Sequence, residues 1–165
     1  MAPIELVADT NVVSYLFKEN ALGEVYFDLI GRRRTGVTPL SIAELRSGVE
    51  SDNRGHQRIG MLDEFAGRFV LLPATAEVAN LCGTILGRCK RVGRAMKWPD
   101  AWAAATAIWL DVPSVTHDRD LEGIPGLQVL TAHEEWRVCE EHFRYGTSGG
   151  LWSGESSGRQ YAVAN

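Results

Sequence analysis

Short apolar runs rich in β-branched residues alternate along this chain with longer segments of helical periodicity. Strands are predicted at 4–8, 36–37, 69–72, 112–116 and 127–130. Helices are predicted at 12–17, 24–32, 39 to 45 or 49, 59–65, 76–91, 101–110 and 132–143. Strands that alternate with helices pair with parallel neighbours, so the sequence predicts a three-layer α/β/α fold around a central parallel sheet.

Three features of the sequence bear on individual helices. Thr38-Pro39 and Thr75 are typical N-terminal caps, although Ser41 and Glu44 also match a capping box and compete with Thr38 as a helix start. Gly83 and Gly87 stand four residues apart on one face of the 76–91 helix. Because glycine weakens a helix, this pair indicates the close approach of another backbone.

Composition indicates a soluble globular protein. At 165 residues, with 45% hydrophobic and 23% charged residues, residues 1–145 are expected to form one domain. The stretch 146–165, rich in glycine and serine, reads as a flexible tail. A net charge of −4 gives no overall basic surface, so nucleic-acid binding would need a local patch such as the basic run at 88–97.

Cysteine usage and hydropathy indicate a cytoplasmic location. The three cysteines are odd in number and form no CxxC pair, which is typical of a reducing compartment. No signal peptide precedes the first strand, and no apolar run approaches the length of a membrane span. We therefore expect no membrane association.

Four acids stand at element ends or in first helical turns: Asp9, Glu44, Asp100 and Asp118. Each has an ordinary explanation, as a cap, part of a capping box, a first-turn acid or a turn residue. Their recurrence favours a shared role, because parallel strands bring Asp9 and Asp118 to one edge of the sheet, where ligands bind in open α/β folds.

Converging carboxylates predict metal chemistry. They repel one another, so at least one pKa should rise unless a cation neutralises them. Oxygen ligands suit Mg²⁺ or Mn²⁺, which neutralise phosphate charge and generate a hydroxide nucleophile near neutral pH. Metal-dependent phosphodiester hydrolysis is the chemistry that such a cluster favours.

Four stretches carry a family resemblance: VADTNVVS at 7–14, SIAELRSG at 41–48, DAWAAATA at 100–107 and THDRDL at 116–121. In this order they resemble the PIN domain, and within it the VapC toxins of bacterial VapBC toxin–antitoxin modules, over roughly residues 4–136. The resemblance implies an RNA endonuclease using Mg²⁺ or Mn²⁺ and leaving 5′-phosphate ends. Its acidic quartet would be Asp9, Glu44, Asp100 and Asp118. Leu121 stands where relatives often have Phe.

The resemblance and the residues themselves suggest further site residues and partners. Thr10 or Asn11, and Thr116, match polar residues lining the site, and Asp120 is a candidate fifth acid. Arg46, close to Glu44, could hold a carboxylate or a phosphate, or be solvated. A VapB-like antitoxin and an RNA substrate are implied, and a homodimer is expected through the Gly83/Gly87 helix or the Trp102/Trp109 helix, although both could pack inside the monomer.

Two other functions remain open at this point. One is a catalytically weak PIN protein that supports a DNA-binding antitoxin in transcriptional regulation. The other is a structure-specific DNA nuclease using the same acids. His117, beside Asp118, could touch substrate, but a solvated loop histidine is the expected role.

Overall fold

The fold comes from a computed structural model that describes residues 2–51 and 55–132. In chain order the elements are β1 (Leu6–Ala8), α1 (Thr10–Lys18), α2 (Ala21–Ile30), β2 (Thr35–Val37), α3 (Pro39–Glu50), α4 (Gly55–Ala66), β3 (Val70–Leu71), α5 (Ala76–Arg91), α6 (Trp98–Leu110), β4 (Ser114–Val115), a 3₁₀ turn (Arg119–Leu121) and β5 (Val129–Leu130). The predicted helix at 132–143, apart from its first residue, and the tail at 146–165 lie outside the described residues.

The five strands form one parallel sheet in the order β3-β2-β1-β4-β5. The central strand β1 is buried throughout, and Val7 pairs with Gly36 on one side and Ser114 on the other. Side chains of β1 alternate between the two faces: Leu6 packs with α2 residues, whereas Val7 packs with Ala107 of α6. The predicted α/β fold with a central parallel sheet between helices is confirmed.

Two caps decide where helices begin. Thr38 Oγ1 accepts from the backbone N–H of Ser41 at 3.1 Å, so Thr38 and not Ser41 starts α3. The Ser41–Glu44 capping box therefore does not form, and Glu44 projects from the exposed surface of the helix. Thr75 caps α5 as predicted, through the N–H of Val78 at 3.3 Å.

Element bounds differ from prediction mainly at helix starts. Helix α4 begins at Gly55 and not Ile59, and α6 begins at Trp98 and not Ala101. Proline is tolerated in a first turn, where its missing N–H has no helical partner, so Pro99 does not delay α6. Asp100 consequently lies in the first helical turn.

A close approach of two helices does occur, but at Gly23 and not at Gly83. A Cβ added to Gly23 would lie 2.4 Å from the carbonyl oxygen of Tyr15, where α2 crosses α1. A Cβ on Gly83 would meet nothing within 4 Å, so no described part of this chain uses that glycine for packing.

These two glycines should respond to alanine in opposite ways. We expect Gly23→Ala to lower the free energy of unfolding by about 1–3 kcal/mol, because backbone must move to admit the methyl group. In the monomer, Gly83→Ala should raise it by up to about 1 kcal/mol through helix propensity. Urea denaturation measures the free energy of unfolding of both variants. An unchanged value for Gly23→Ala would mean that α1 and α2 separate easily.

Among the described residues, no helix has the length and apolar character needed to span a membrane. Cys82 and Cys89 are buried on α5 with free thiols.

Candidate active site

A cavity of about 650 Å³ opens next to the first turn of α1. Its wall combines acids and bases contributed by separate elements: Glu44 of α3, Asp100 of α6, Asp118 after β4, and the basic residues Lys18, Arg58 and Lys97. The fold therefore brings three of the four predicted acids to one cavity. Of the predicted substrate residues, Thr10 and Asn11 also line it.

Asp9, the fourth acid, lies fully buried behind that wall. Its Oδ1 accepts from the N–H of Thr10 at 2.7 Å, and its Oδ2 accepts from Asn11 Nδ2 and Thr116 Oγ1, both at 2.8 Å. Asp9 is thus the N-cap of α1, which is the structural role that the sequence offered as an alternative to a catalytic one. Oδ2 is therefore held by Asn11, which lines the cavity, and by Thr116, which directly follows β4.

The carboxyl groups perturb one another. Burial raises the pKa of Asp9; hydrogen bonds from Thr116 and Thr10 oppose the rise, and the charges of Asp118 and Glu44 add to it. Burial likewise raises the pKa of Asp100 to about 6, with further increases from Asp9 and Asp118 and an opposing effect of Lys97. All four carboxylates therefore share one electrostatic neighbourhood.

The donor set fits a hard divalent cation by type and by charge. A buried carboxylate beside others is stabilised by the cation that would neutralise it. Thr10 Oγ1, at the cavity wall, is buried without a hydrogen-bond partner, which leaves one more oxygen available there. Within the described residues, however, no three His, Cys, Asp or Glu side chains are already grouped at ligand spacing.

A hydrogen-bonded turn carries Asp118. Its backbone N–H donates to Thr116 Oγ1 at 2.9 Å, and its Oδ1 accepts from the N–H of Asp120 at 2.8 Å. Arg94, from the α5–α6 connection, donates to the carbonyl oxygens of the following turn, those of Arg119, Asp120 and Glu122. The position of Asp118 is therefore coupled to Asp9 through Thr116 and to the α5–α6 connection through Arg94.

Arg46 and Asp120 do not line the cavity. Arg46 is exposed and pairs with Asp63 at 2.9 Å and with Glu50 at 3.8 Å. Asp120 is exposed in the 3₁₀ turn. The structure thus gives Arg46 a surface role between α3 and α4.

The sequence did not single out Lys18 or Arg58, neither of which belongs to a run of basic residues. Only the packing of α1 and α4 around α3 brings them to the acids. Lys97 belonged to the basic run at 88–97 and does reach the cavity.

His117 is not the solvated loop residue that the sequence suggested. It is partly buried, lines the cavity, and meets the rings of Tyr15 and Tyr26 edge-on, at centroid distances of 5.7 and 5.8 Å. The reason is tertiary: α1 and α2 pack these two tyrosines against the end of β4.

Comparison with known proteins agrees with this fold. DNA-bound VapBC from Salmonella typhimurium is 22% identical with a TM-score of 0.69, covering 78% of this chain and 98% of that one. VapBC2 from Rickettsia felis bound to a promoter DNA fragment is 21% identical with a TM-score of 0.67, covering 76% and 97%. VapBC-5 from Mycobacterium tuberculosis, a member of the VapBC family of toxin–antitoxin systems, is 28% identical with a TM-score of 0.59, covering 77% and 98%.

A search of the curated proteins finds no significant match. The family model of the PIN domain matches residues 6–127, which include the buried central strand, all four acids and the turn that carries Asp118. The match spans most of the chain and confirms the family that the four sequence stretches resembled. This protein belongs to the PIN domain family.

Proposed function

We propose that this chain is the toxin of a type II toxin–antitoxin system, a metal-dependent endoribonuclease that hydrolyses phosphodiester bonds of RNA. One observation carries the proposal: Glu44, Asp100 and Asp118 line a cavity that also presents Lys18, Arg58 and Lys97, and the buried carboxylate of Asp9 is electrostatically coupled to these acids. Carboxylates suit a divalent cation and the basic side chains suit phosphates, so both parts of the reaction have residues here.

Each site residue has an assigned role in the proposal. Asp9 and Asp100 hold Mg²⁺ or Mn²⁺ most directly, Glu44 ligates it or orients the attacking water, and Asp118 completes the site. The bound metal would supply charge neutralisation and a hydroxide nucleophile. Thr116 keeps Asp9 and Asp118 in register through its hydroxyl group, which contacts both residues.

The test uses purified protein and a fluorescent RNA. We expect cleavage with Mg²⁺ or Mn²⁺ and none in EDTA, with 5′-phosphate ends on the products. Sequencing of RNA ends after expression in a bacterial host would identify the substrate, whether tRNA, rRNA or mRNA. A purified protein that leaves RNA intact in both metals would remove the nuclease proposal.

A VapB-like antitoxin is the proposed partner, supported by the similarity to VapBC structures, two of which are bound to DNA. A carboxylate cluster without metal is a ready site for a guanidinium, which stays charged and pairs in two-pronged fashion. We propose that the antitoxin inserts an Arg, or failing that a Lys, between Asp9 and Asp100. A cytoplasmic location follows from this role.

Inhibition should then compete with metal. We expect raised Mg²⁺ to weaken inhibition by the antitoxin, and replacement of its inserted Arg by Ala to restore RNA cleavage. Cleavage assays over a Mg²⁺ series at fixed antitoxin measure the effect. Inhibition that neither change relieves would mean that the antitoxin blocks RNA entry elsewhere.

A homodimer is also proposed, through α5 or the face of α6 that carries Trp109. Gly83 is exposed with open space around it, and Trp109 is 38% exposed. Trp102 is instead partly buried and packs against the core cluster of α5 and α6.

Sedimentation tests the dimer. We expect a dimer at micromolar concentration, and Gly83→Gln or Trp109→Ala should shift it towards monomer, because a larger or a missing side chain spoils a close helix contact. Glu77→Gln, on another face of α5, is the matched control. A wild-type monomer at high micromolar concentration would dispose of the dimer.

The alternative function is a catalytically weak PIN protein that assists a DNA-binding antitoxin in transcriptional regulation. DNA-bound VapBC neighbours give it some support. The two functions differ in whether added metal produces RNA cleavage by the purified chain.

A further inference from the structure

An exposed tryptophan stands next to the active-site cavity. Trp98 is the first residue of α6, and both Lys97 before it and Asp100 after it line the cavity. Because consecutive Cα atoms lie about 3.8 Å apart, the backbone of Trp98 is part of the same rim. Trp98 itself does not line the cavity and is 62% exposed, so its indole ring cannot be covered on both faces.

The backbone beneath this tryptophan is firmly held. Helix α6 buries Ala101 and Ala105 in the core cluster that it shares with α5, and Trp102, one turn after Trp98, packs against the same cluster. A single exposed apolar side chain is ordinary and by itself assigns nothing. A flat aromatic ring at a fixed point beside an active site, however, offers a surface on which another ring can stack.

The connection from α5 to α6, residues 92–97, is anchored beside the acids at two points. Arg94 donates to the carbonyl oxygens of the turn that follows Asp118. Lys97 lines the cavity, and its positive charge opposes the rise that burial causes in the pKa of Asp100. The end of α5 and the start of α6 are therefore both held next to the active site.

The end of α5 is strongly basic. Its last turn carries Arg88, Lys90 and Arg91, and all three residues are exposed. No acid among the residues that the structure describes forms an ion pair with any of them. Exposed basic side chains bind phosphates without reading sequence, and aromatic side chains stack on bases. Surfaces that bind single-stranded nucleic acid combine these two kinds of side chain.

We propose that Trp98 stacks on a base of the RNA just outside the cavity, while the basic end of α5 contacts the phosphates of the same stretch. This inference rests on the proposed ribonuclease function and adds an RNA contact that none of the carboxylates provides. The stacked base must be unpaired, since a base inside a duplex has no free face. Trp98 therefore raises RNA affinity and leaves metal affinity and the cleavage step unchanged.

The first test uses a fluorescent RNA that the wild type cleaves. Trp98→Ala should weaken its binding in EDTA roughly five- to a hundredfold, the range expected for the loss of one stacking residue. The single-turnover rate at saturation and its Mn²⁺ dependence should not change. Trp98→Phe keeps an aromatic ring and should recover most of the affinity. Wild-type affinity in Trp98→Ala, or a Trp98→Phe variant that binds as weakly as Trp98→Ala, would overturn the inference.

RNAs that each lack one base near the cleaved bond show whether the contact is stacking. One of them should bind the wild type as weakly as the intact RNA binds Trp98→Ala. Combining that RNA with Trp98→Ala should cause no further loss, because the stacked pair is already gone. Additive losses at every position of the missing base would contradict stacking on Trp98.

Two variants separate stacking from charge and from general damage. Phe27→Ala removes another exposed ring, 51% exposed on α2 and away from the cavity wall, and should bind RNA normally; an equal loss there would overturn the inference. Arg91→Gln should reduce the slope of log affinity against log salt by about 1, whereas Trp98→Ala should leave the slope unchanged. A wild-type slope in Arg91→Gln would remove Arg91 from the surface.

Sedimentation distinguishes RNA from a protein occupant of the same surface. Trp98→Ala should keep the oligomeric state of the wild type, because its ring is assigned to RNA. A variant that loses a wild-type dimer and keeps its RNA affinity would assign Trp98 to a protein interface and overturn the inference. Failure of the wild type to cleave RNA would instead refute the proposed function.

Discussion

Asp9→Asn is expected to reduce RNA cleavage at least about a hundredfold while the fold stays intact. Loss of residues that merely support metal ligands costs 10- to 100-fold, and Asp9 is proposed as a ligand itself. A neutral amide is a poorer ligand for a hard cation than a carboxylate. The fold should survive because Asn is as good an N-cap as Asp, so Thr10 keeps its partner.

The melting temperature of Asp9→Asn without metal should stay close to that of the wild type, because relief from charge repulsion offsets the loss of the two hydrogen bonds that Oδ2 accepts from Asn11 and Thr116. Burial raises the pKa of Asp9, so its ionised form is disfavoured in the fold, and the amide removes one of several repelling charges. Asp63→Asn, which neutralises an exposed acid of α4 paired with Arg46, is the matched control and should cleave RNA normally. Wild-type activity of Asp9→Asn in Mg²⁺ would show that Asp9 is not part of the site.

Asp100 should make the metal-free protein less stable as the pH rises. Its pKa is about 6 in the fold, against 3.8 for an ordinary aspartate, so between these values the folded state binds more protons than the unfolded state. The free energy of unfolding therefore falls as the pH rises through this window, and the loss is complete above the folded pKa.

Asp100→Asn should remove this fall in the free energy of unfolding, because an amide does not ionise. At pH 7.5 in EDTA we expect the variant to be about 1–2 kcal/mol more stable than the wild type, since solvent reaches this partly buried carboxyl and reduces the full effect. That difference corresponds to a melting temperature a few degrees higher.

The stability difference between Asp100→Asn and the wild type can be checked by changing the pH and by adding metal. Near pH 4 the stability gain of Asp100→Asn should vanish, because wild-type Asp100 is then protonated when folded. Added Mn²⁺ should stabilise the wild type more than Asp100→Asn. Thermal melts at both pH values provide the measurement; an equal stability gain at pH 4 and 7.5 would place its origin outside the ionisation of Asp100.

The fold class could be predicted from local pattern alone. The apolar run before Asp9 and the helical periodicity of 76–91 each carry their information within one element, and a parallel sheet follows from their alternation. The Thr38 and Thr75 caps could likewise be predicted from the sequence, because each cap is a contact between residues three apart in the chain.

The four candidate site acids could also be identified from the sequence. Asp9, Glu44, Asp100 and Asp118 stand at positions that short motifs define, and the PIN domain match contains them all. The sequence could not predict that Asp9 is buried with both oxygens hydrogen-bonded, because one of its partners, Thr116, lies 107 residues away in the chain.

Long-range packing alone decided the rest. Lys18 and Arg58 became cavity residues, Arg46 became a surface ion-pair partner, and His117 was held by tyrosines of α1 and α2. Each outcome depends on which helices meet beside β1 and β4, a choice made by apolar packing across the whole domain. The sequence by itself determined the chemistry available at the end of the sheet, and only the tertiary structure decided which side chains surround it.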